Sequence, residues 1–305
     1  MPLDKSYLEY PHRSRGMDHD RYDWSMLTDR KAVNWPNGKK LALWINVSLQ
    51  FFPLDQKGVP IKPPGGMTMP YPDLRHYSLR DYGNRVGIYR LLKAFDKYNV
   101  KATYAVNAEL TKRVPYLMSA LKERGAEFLG HGWNMDTIHH NDMEDEADII
   151  KRSLDVLSEY SSREVSGWLS PGRFESDKTP EYLVDTGVKY FCDWVNDDMP
   201  YEFRTGNGPL IAMPLSNELE DRFILLSNLH SEQSYADQIK DAADMLISEA
   251  QEQGGRVLGL SLHPWMMGQP HRIKVLEDIL DYLMSNEDVW SASASEILEH
   301  WQNQQ

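Results

Sequence analysis

The stretch KKLALWINVSL, residues 39–49, is a nearly unbroken apolar run. Such a run is typical of a β-strand that is buried on both faces. It is followed by PLDQKGVPIKPPGGMTMPYPD, residues 53–73, which contains six prolines and three glycines. That composition excludes regular secondary structure, and a long loop inside a compact domain is often functional.

Strands and helices alternate along the rest of the chain. The apolar patterns predict strands over residues 39–49, 100–110, 126–133, 165–172, 189–195, 210–216, 223–229 and 256–265. They predict helices over residues 85–99, 114–125, 143–161, 179–187, 234–255 and 271–286, with a short strand and a helix over 289–301. This alternation predicts an α/β fold with a parallel sheet, most simply a single (β/α) barrel, complete or distorted. Residues 1–35 lack periodicity and predict an N-terminal arm, so the barrel domain is expected over residues 36–305.

The net charge, the cysteine content and the distribution of apolar residues limit which partners and which cellular location the chain can have. The 305 residues carry a formal net charge of −13, which argues against binding to nucleic acid or to anionic membranes. Cys192 is the only cysteine, so no disulfide can form within the chain. The N-terminal residues lack the apolar core of a signal peptide, and no apolar run reaches eighteen residues. We therefore expect a cytoplasmic protein that binds neither nucleic acid nor membranes.

Polar residues follow the predicted strands at the ends where parallel barrels place their active sites. They are Asn46, Asn107, Glu109, His131, Trp133, Arg173, Asp193, Asp197, Asp198 and His263. Any one of them could equally be a helix cap or a structural hydrogen-bond partner. Because six separate loops contribute such residues to one rim, their convergence predicts an active site.

Five segments of the sequence resemble a known superfamily. RVGIYRLLKAFDKYNVKATYAVNAEL, GHGWNM, GWLSPGR, CDWVNDDMPY and LSLHPWMMGQPHR occur in the order and spacing of the polysaccharide deacetylases. More narrowly, they resemble the branch of metal-independent allantoinases and related amidohydrolases. The DYGxRVG motif of that branch is matched by residues 81–87, and its DDLPY motif by residues 197–201, with Met199 in place of leucine. The resemblance implies a deacetylase-type barrel that hydrolyses C–N bonds.

The resemblance also bears on whether the chain binds a metal. Metal-dependent members have two aspartates after the first strand and two histidines spaced four residues apart after the third. Here Asn46 and Val47 stand at the aspartate positions, and Met135 follows His131 at the second histidine position. Since zinc sites need three or four ligands, we expect no metal and no other cofactor. A rearranged site that combines His131 with an aspartate from another loop stays open.

Two further histidines, His139 and His140, lie outside the spacing of the family's metal site. They directly precede an acidic helix start, which favours a capping or surface position for both.

The same resemblance implies roles for individual residues. His263 matches the histidine that acts as general acid, and Arg173 matches the arginine that orients a carboxylate or holds the substrate. Asp193, Asp197 and Asp198 remain alternatives for the base. The predicted catalytic residues are His263, Arg173, Asp193 and His131, and the predicted substrate-binding residues are Asn46, Trp133, Trp265, Asp197 and Asp198.

Three functions are compatible with these residues. The first is hydrolysis of a non-peptide C–N bond in a small amide, such as a cyclic ureide or imide. The second is metal-dependent N-deacetylation of an acetylated sugar, which the missing aspartates and the missing secretion signal disfavour. The third is a catalytically inactive ligand-binding member, which the retained histidines, Arg173 and Asp193 disfavour.

The N-terminal arm predicts self-association. Its aromatic residues, including Tyr7, Tyr10, Tyr22 and Trp24, need a surface on which to be buried. That surface belongs either to the barrel or to a neighbouring subunit, and we expect a homo-oligomer.

Overall fold

The computed structural model describes residues 19–55 and 73–305. Most of the predicted loop over residues 53–73 and the first part of the predicted arm, with Tyr7 and Tyr10, therefore lie outside the described residues. The division into an arm and one barrel domain stays a prediction.

The described residues form a sheet surrounded by helices. The strands are β1 (Leu41–Leu49), β2 (Ala102–Val106), β3 (Glu127–Gly130), β4 (Gly167–Trp168), β5 (Tyr190–Phe191), β6 (Tyr201–Arg204), β7 (Pro209–Ala212), β8 (Arg256–Leu262) and β9 (Val289–Ser291). The helices are α1 (Leu74–Tyr82), α2 (Ile88–Tyr98), α3 (Leu110–Arg113), α4 (Pro115–Glu123), α5 (Glu146–Ser161), α6 (Thr179–Asp185), α7 (Glu232–Gln253), α8 (Pro264–Met267), α9 (Ile273–Met284) and α10 (Ala294–Gln302). Wider π-type turns occupy Gly83–Gly87 and Phe223–Ser227.

The strands form an open, curled sheet. Their order is β6-β7-β5-β4-β3-β2-β1-β8, and all neighbours are parallel except the β6–β7 pair. One edge of β1 pairs with β8, while its other edge pairs with β9 at Leu41–Leu43 and with β2 at Ile45–Leu49. Within the described chain β6 and β8 do not pair with each other, so the barrel is not closed. This confirms the α/β fold and identifies the distorted form of the predicted barrel.

The two faces of β1 show where the core and the site lie. Leu43, Ile45 and Val47 pack in the cluster that includes the surrounding helices, whereas Ala42 and Trp44 belong to a second cluster on the inner face. Side chains alternate along a strand, so Asn46 and Ser48 lie on the inner face above Trp44. The inner face is therefore apolar near the amino end of β1 and polar near its carboxyl end, where the predicted site lies.

The predicted strand over residues 223–229 is wrong. Phe223–Ser227 instead forms the π-type turn that precedes α7, with Ile224 and Leu225 buried against the core. A short apolar run fits either a strand or a buried helical turn, so periodicity alone could not separate them. Strand β6 and the helices α1, α3 and α8 were not predicted, and the other predicted helices and strands are present.

The described part of the arm packs on the barrel. Arg21 pairs with Glu181 at 2.6 Å, and the ring of Tyr22 contacts the rings of Trp194 and Tyr201. Trp24 is 64% exposed. The homo-oligomer and the cytoplasmic location stay predictions. Among residues 19–55 and 73–305, none of the helices is both long and apolar enough to cross a membrane.

Candidate active site

A buried histidine–carboxylate pair lies at the carboxyl end of β8. His263 follows the last residue of this strand and is 4% exposed. Asp221 contacts it twice, because one carboxylate oxygen accepts the backbone N–H at 2.7 Å and the other lies 2.7 Å from Nδ1. These contacts fix the ring and favour the tautomer that carries its proton on Nδ1. Nε2 then keeps its lone pair and can exchange a proton with a bound molecule.

Glu220 and Arg173 lie on the other side of this ring. The Oε1 atom of Glu220 is 3.9 Å from His263 Nε2, and its Oε2 atom is 3.9 Å from Arg173 Nη2. Arg222 donates from Nε to Oε1 of Glu220 at 2.9 Å. Burial raises the pKa of Glu220, but the charges of His263, Arg222 and Arg173 outweigh burial and hold it below the ordinary value. Glu220 is therefore ionised at neutral pH.

Close backbone packing holds the segment that carries His263. A Cβ added to Gly87 would lie 2.1 Å from the carbonyl oxygen of Pro264, and one added to Gly83 would lie 2.6 Å from the backbone nitrogen of Trp265. Only glycine permits this approach of the Gly83–Gly87 turn to α8. The DYGxRVG motif thus has a structural explanation. Its two glycines let the turn pack closely against α8, the helix that directly follows His263.

Arg173 is presented by a strained turn. Both Gly172 and Arg173 have positive φ angles, of 65° and 60°. A residue other than glycine in this region costs on the order of 1–3 kcal/mol, and such strain concentrates at functional sites. Asp193 stabilises the turn, because its two oxygens accept hydrogen bonds from the backbone N–H of Ser170 at 2.8 Å and from the hydroxyl of Ser170 at 2.9 Å. Both oxygens of Asp193 are thus bound to Ser170, next to the turn that carries Arg173.

A second carboxyl group, that of Glu175, accompanies Asp193. Its Oε2 accepts a hydrogen bond from Trp194 Nε1 at 3.0 Å, and its Oε1 is buried. Burial, followed by the charge of Asp193, raises the pKa of Glu175 to about 9. Glu175 therefore keeps its proton at neutral pH, since two buried carboxylates repel each other.

His131 lies at the carboxyl end of β3 and is neutral at neutral pH. Its Nδ1 lies 2.6 Å from the carbonyl oxygen of Leu169, so Nδ1 carries the proton, and its Nε2 faces Gln50 at 3.5 Å. Burial lowers the pKa of His131 to about 4; the bond to Leu169 opposes this shift, and the charges of His263 and Arg173 add to it. The imidazole of His131 can therefore accept a hydrogen bond through Nε2 without carrying a charge.

Two buried polar atoms near His263 lack hydrogen-bond partners among the described residues. They are Oδ1 of Asn46 and Nε1 of Trp265. Asn46 pairs in register with Ser261, two residues before His263, and the Trp265 ring centroid lies 5.8 Å from that of His263. One atom accepts and the other donates a hydrogen bond, and leaving both unpaired is unfavourable unless a bound molecule contacts them.

The side chains do not fit the metal site of the family. His131 is the one retained ligand, Met135 is fully buried, and Asn46 and Val47 replace the aspartates. Glu220, Asp221 and His263 do bring ligand atoms within 4.8 Å of one another. Both oxygens of Asp221 already accept hydrogen bonds from His263, however, and two guanidinium groups flank Glu220. The described residues therefore supply at most two free ligand atoms there, whereas zinc needs three or four.

Two predicted substrate-binding residues, Asp197 and Asp198, are not brought to this site. Trp133 follows β3 and stacks under Arg152 on α5, with the guanidinium carbon 3.7 Å from the ring centroid, and its contact with substrate stays a prediction. Asp197 binds Arg30 of the arm through both oxygens and lines a cavity of about 670 Å³ together with Arg256. Arg256 begins β8, about 20 Å from the end that carries His263. Asp197 and the adjacent Asp198 therefore lie at the amino end of the barrel, and their predicted place at the site is corrected.

The predicted surface position of His139 is also wrong. His139 is 1% exposed, and its Nδ1 lies 2.9 Å from Glu146 Oε1, which Thr179 contacts as well. His140 is exposed, as expected for a surface residue. Glu146, in the first turn of α5, thus binds His139 because the loop between them folds inward. The spacing of the two residues in the sequence does not reveal this contact.

Glu220 and Asp221 were missed by sequence reasoning. They lie in the segment NELEDR, residues 217–222, which follows the predicted strand over 210–216. A signal existed, because adjacent carboxylates directly after a buried parallel strand sit at the edge where such barrels place their sites.

Known proteins support this description. Residues 77–191 match the family model for polysaccharide deacetylases. The matched stretch holds β2 to β5. It is similar to a Schizosaccharomyces pombe protein described as a candidate polysaccharide deacetylase, with 24% identity over 88% of this chain and 92% of that protein. It is also similar to the Helicobacter pylori peptidoglycan deacetylase, with 22% identity over 71% and 84% of the two chains.

A solved structure shares the fold. The PuuE allantoinase has a TM-score of 0.80 and 24% identity, with 92% of this chain and 98% of that chain covered. The superfamily recognised from the motifs is confirmed by the family match over residues 77–191 and by the relative from Schizosaccharomyces pombe. These matches support an enzyme of the deacetylase type, and the allantoinase structure shows that the fold is shared.

Proposed function

We propose that this chain hydrolyses a C–N bond in a small planar amide of the cyclic ureide or imide type, and that it does so without a metal ion. The observation that carries the proposal is the buried His263–Asp221 pair at the carboxyl end of β8. A hydrolase acting on an amide must protonate the departing nitrogen, and a positioned histidine is the side chain that most often does so.

In this proposal Asp221 holds the proton on Nδ1 of His263, so that Nε2 exchanges a proton with the reacting molecule. When Nε2 is protonated, the positive charge of the ring is stabilised by Asp221 at 2.7 Å and by Glu220 at 3.9 Å. His263 is thus able to carry a proton and then deliver it to the nitrogen of the breaking C–N bond.

The unpaired polar atoms support the substrate class. Asn46 Oδ1 needs a donor and Trp265 Nε1 needs an acceptor. A ureide or imide ring alternates N–H and C=O groups on one edge, so it offers a partner to either atom. Its planar ring also suits an aromatic neighbour such as Trp265, whose ring meets that of His263 in an edge-to-face arrangement with centroids 5.8 Å apart. The shared fold of the PuuE allantoinase is consistent with this class.

Deacetylation of an N-acetylated sugar is the second candidate, because the two curated relatives are described as deacetylases. The poor fit of Asn46, Val47 and Met135 to the family's metal site argues against a metal-dependent reaction of this kind.

A turnover panel tests both candidates. Purified protein is incubated with hydantoin, succinimide, allantoin and oligomers of N-acetylglucosamine, with and without EDTA. We expect hydrolysis of at least one ring compound at the same rate with the chelator. Activity that is lost with EDTA and restored by zinc would replace the proposal with the metal-dependent candidate, and no turnover of any compound would favour a ligand-binding protein.

We propose in addition that residues 36–305 form the catalytic domain and that the chain is a cytoplasmic homo-oligomer. Trp24 and Met26, which remain 64% and 52% exposed on the described arm, supply apolar area for a subunit contact. Sedimentation at micromolar concentration tests the assembly, and a monomer would contradict it.

A further inference from the structure

Glu220 is a buried carboxylate whose place in the reaction is not explained by the His263–Asp221 pair. It is 4% exposed, whereas Glu218, two residues earlier in the same segment, is exposed. Arg222 donates to its Oε1 atom at 2.9 Å and fixes the orientation of the carboxylate. Burying a charged carboxylate is costly, so its position in the site calls for a functional reason.

Two polar groups face the two oxygens of this carboxylate. Oε1 of Glu220 lies 3.9 Å from His263 Nε2, and Oε2 lies 3.9 Å from Arg173 Nη2; both distances are too long for a direct hydrogen bond. Nη2 of Arg173 has no hydrogen-bond partner among the described residues, although Nη1 donates to the carbonyl oxygen of Cys192 at 3.1 Å. Gaps of this size between polar groups are commonly bridged by water.

We propose that Glu220, His263 Nε2 and Arg173 Nη2 together bind the water molecule that attacks the substrate. The hydrogen-bond roles are complementary. Glu220 and Nε2 each accept one O–H of the water, and Arg173 donates to one lone pair of its oxygen. The second lone pair is left for attack on the carbonyl carbon. This inference rests on the proposed function, and it names the water site that the histidine pair alone leaves unassigned.

The step balances with groups that the chain supplies. His263 Nε2 takes one proton from the water as the oxygen bonds to the carbonyl carbon. When the C–N bond breaks, its electron pair stays on nitrogen, and Nε2 returns the proton to that nitrogen. Glu220 orients the water and exchanges no proton, in keeping with a pKa held below its ordinary value.

The predicted alternatives for the base are less well placed. Both oxygens of Asp193 are occupied by Ser170, and Asp197 is bound to Arg30 at the amino end of the barrel. Among the described residues, Glu220 is the carboxylate that faces the unprotonated nitrogen of His263.

A crystal structure at about 1.5 Å resolution tests the water site without any substrate. We expect one water within about 3.2 Å of Glu220, His263 Nε2 and Arg173 Nη2, in wild type and in the Glu218→Gln control. Empty density at that point would overturn the inference. So would an anomalous signal from a metal ion.

Kinetics on whichever panel compound is turned over test the role of the site. Glu220→Gln should lower kcat by about 10²-fold or more with little change in KM, because the water is then misoriented. Glu220→Asp, which keeps the charge, should recover part of the loss, and Glu218→Gln should behave as wild type. Normal kcat in a folded Glu220→Gln protein would overturn the inference while leaving the proposed function intact. A bound water in a protein that turns over no compound would overturn only the proposed function.

Discussion

Two buried histidine–carboxylate pairs occur in this molecule, and they are in very different surroundings. His263 and His139 each place Nδ1 within hydrogen-bond distance of a carboxylate, at 2.7 Å from Asp221 and 2.9 Å from Glu146. Both are almost fully buried. The pairs differ at Nε2, which in His263 faces Glu220 and in His139 has no hydrogen-bond partner among the described residues.

The difference teaches that the pair alone does not make a catalytic group. His263 ends a strand at the polar rim of the barrel, next to Arg173 and to the unpaired atoms of Asn46 and Trp265. His139 lies in a loop with its ring edge against Trp168 at 5.7 Å, and its carboxylate partner begins α5. We therefore expect the first pair to govern turnover and the second to govern stability.

Substitution of the two histidines should separate turnover from stability most strongly. His263→Ala should lower kcat by about 10² to 10⁴-fold, because proton transfer is lost in the transition state. His139→Ala should leave kcat of the folded protein within a few-fold of wild type. Steady-state kinetics on protein shown to be folded by circular dichroism make the comparison. A similar loss of kcat in both variants would remove the distinction.

Loss of His139 should instead destabilise the fold. Removing His139 takes away one hydrogen-bond partner of the buried Glu146, which keeps Thr179, and should cost about 1–3 kcal/mol in the free energy of unfolding. Urea unfolding measures it, and His140→Ala serves as the control because His140 is exposed and adjacent in sequence. Equal stability of the two variants would show that the His139–Glu146 contact contributes little.

The pKa of His131 is lowered by burial, with smaller contributions from the charges of His263 and His139. His131 should therefore make stability depend on pH. Its pKa of about 4 in the folded protein lies below the ordinary 6.5, so the unfolded state binds the additional proton between these values. Stability is therefore fully present above about pH 6.5 and is lost as the pH falls toward 4, by on the order of 3 kcal/mol. Urea unfolding between pH 7.5 and 4 should show a shallower loss for His131→Asn than for wild type, whereas parallel curves would contradict this account.

The close packing behind His263 should respond to a single methyl group. Gly87→Ala places a Cβ 2.1 Å from the carbonyl oxygen of Pro264 and should cost about 1–3 kcal/mol in stability while displacing α8 and lowering kcat. Gly206→Ala is the control, since its Cβ would approach no described atom closer than 3.9 Å. If both variants unfold at the same urea concentration, the close packing does not hold this segment in place.

The sequence alone determined the fold class, most helices and strands, and the superfamily. These depend on local patterns, such as the apolar run of β1, the helical spacing of α2 and the glycines of residues 81–87. Apolar periodicity reports which side of an element is buried, and that information is contained in a short window. The placement of His131, Arg173 and His263 at one rim followed from the same rule, since the carboxyl ends of parallel strands meet.

Only the tertiary structure decided which polar groups meet. Asp221 contacts His263 across 42 positions of the chain, and His139 turned out to be buried although its surroundings in sequence are acidic and polar. Asp197 follows a strand like the other candidates, yet its loop turns back to Arg30 at the opposite end. A hydrogen bond depends on distance and direction within a few tenths of an ångström, and the paths of the connecting loops that set these are not encoded in any local pattern.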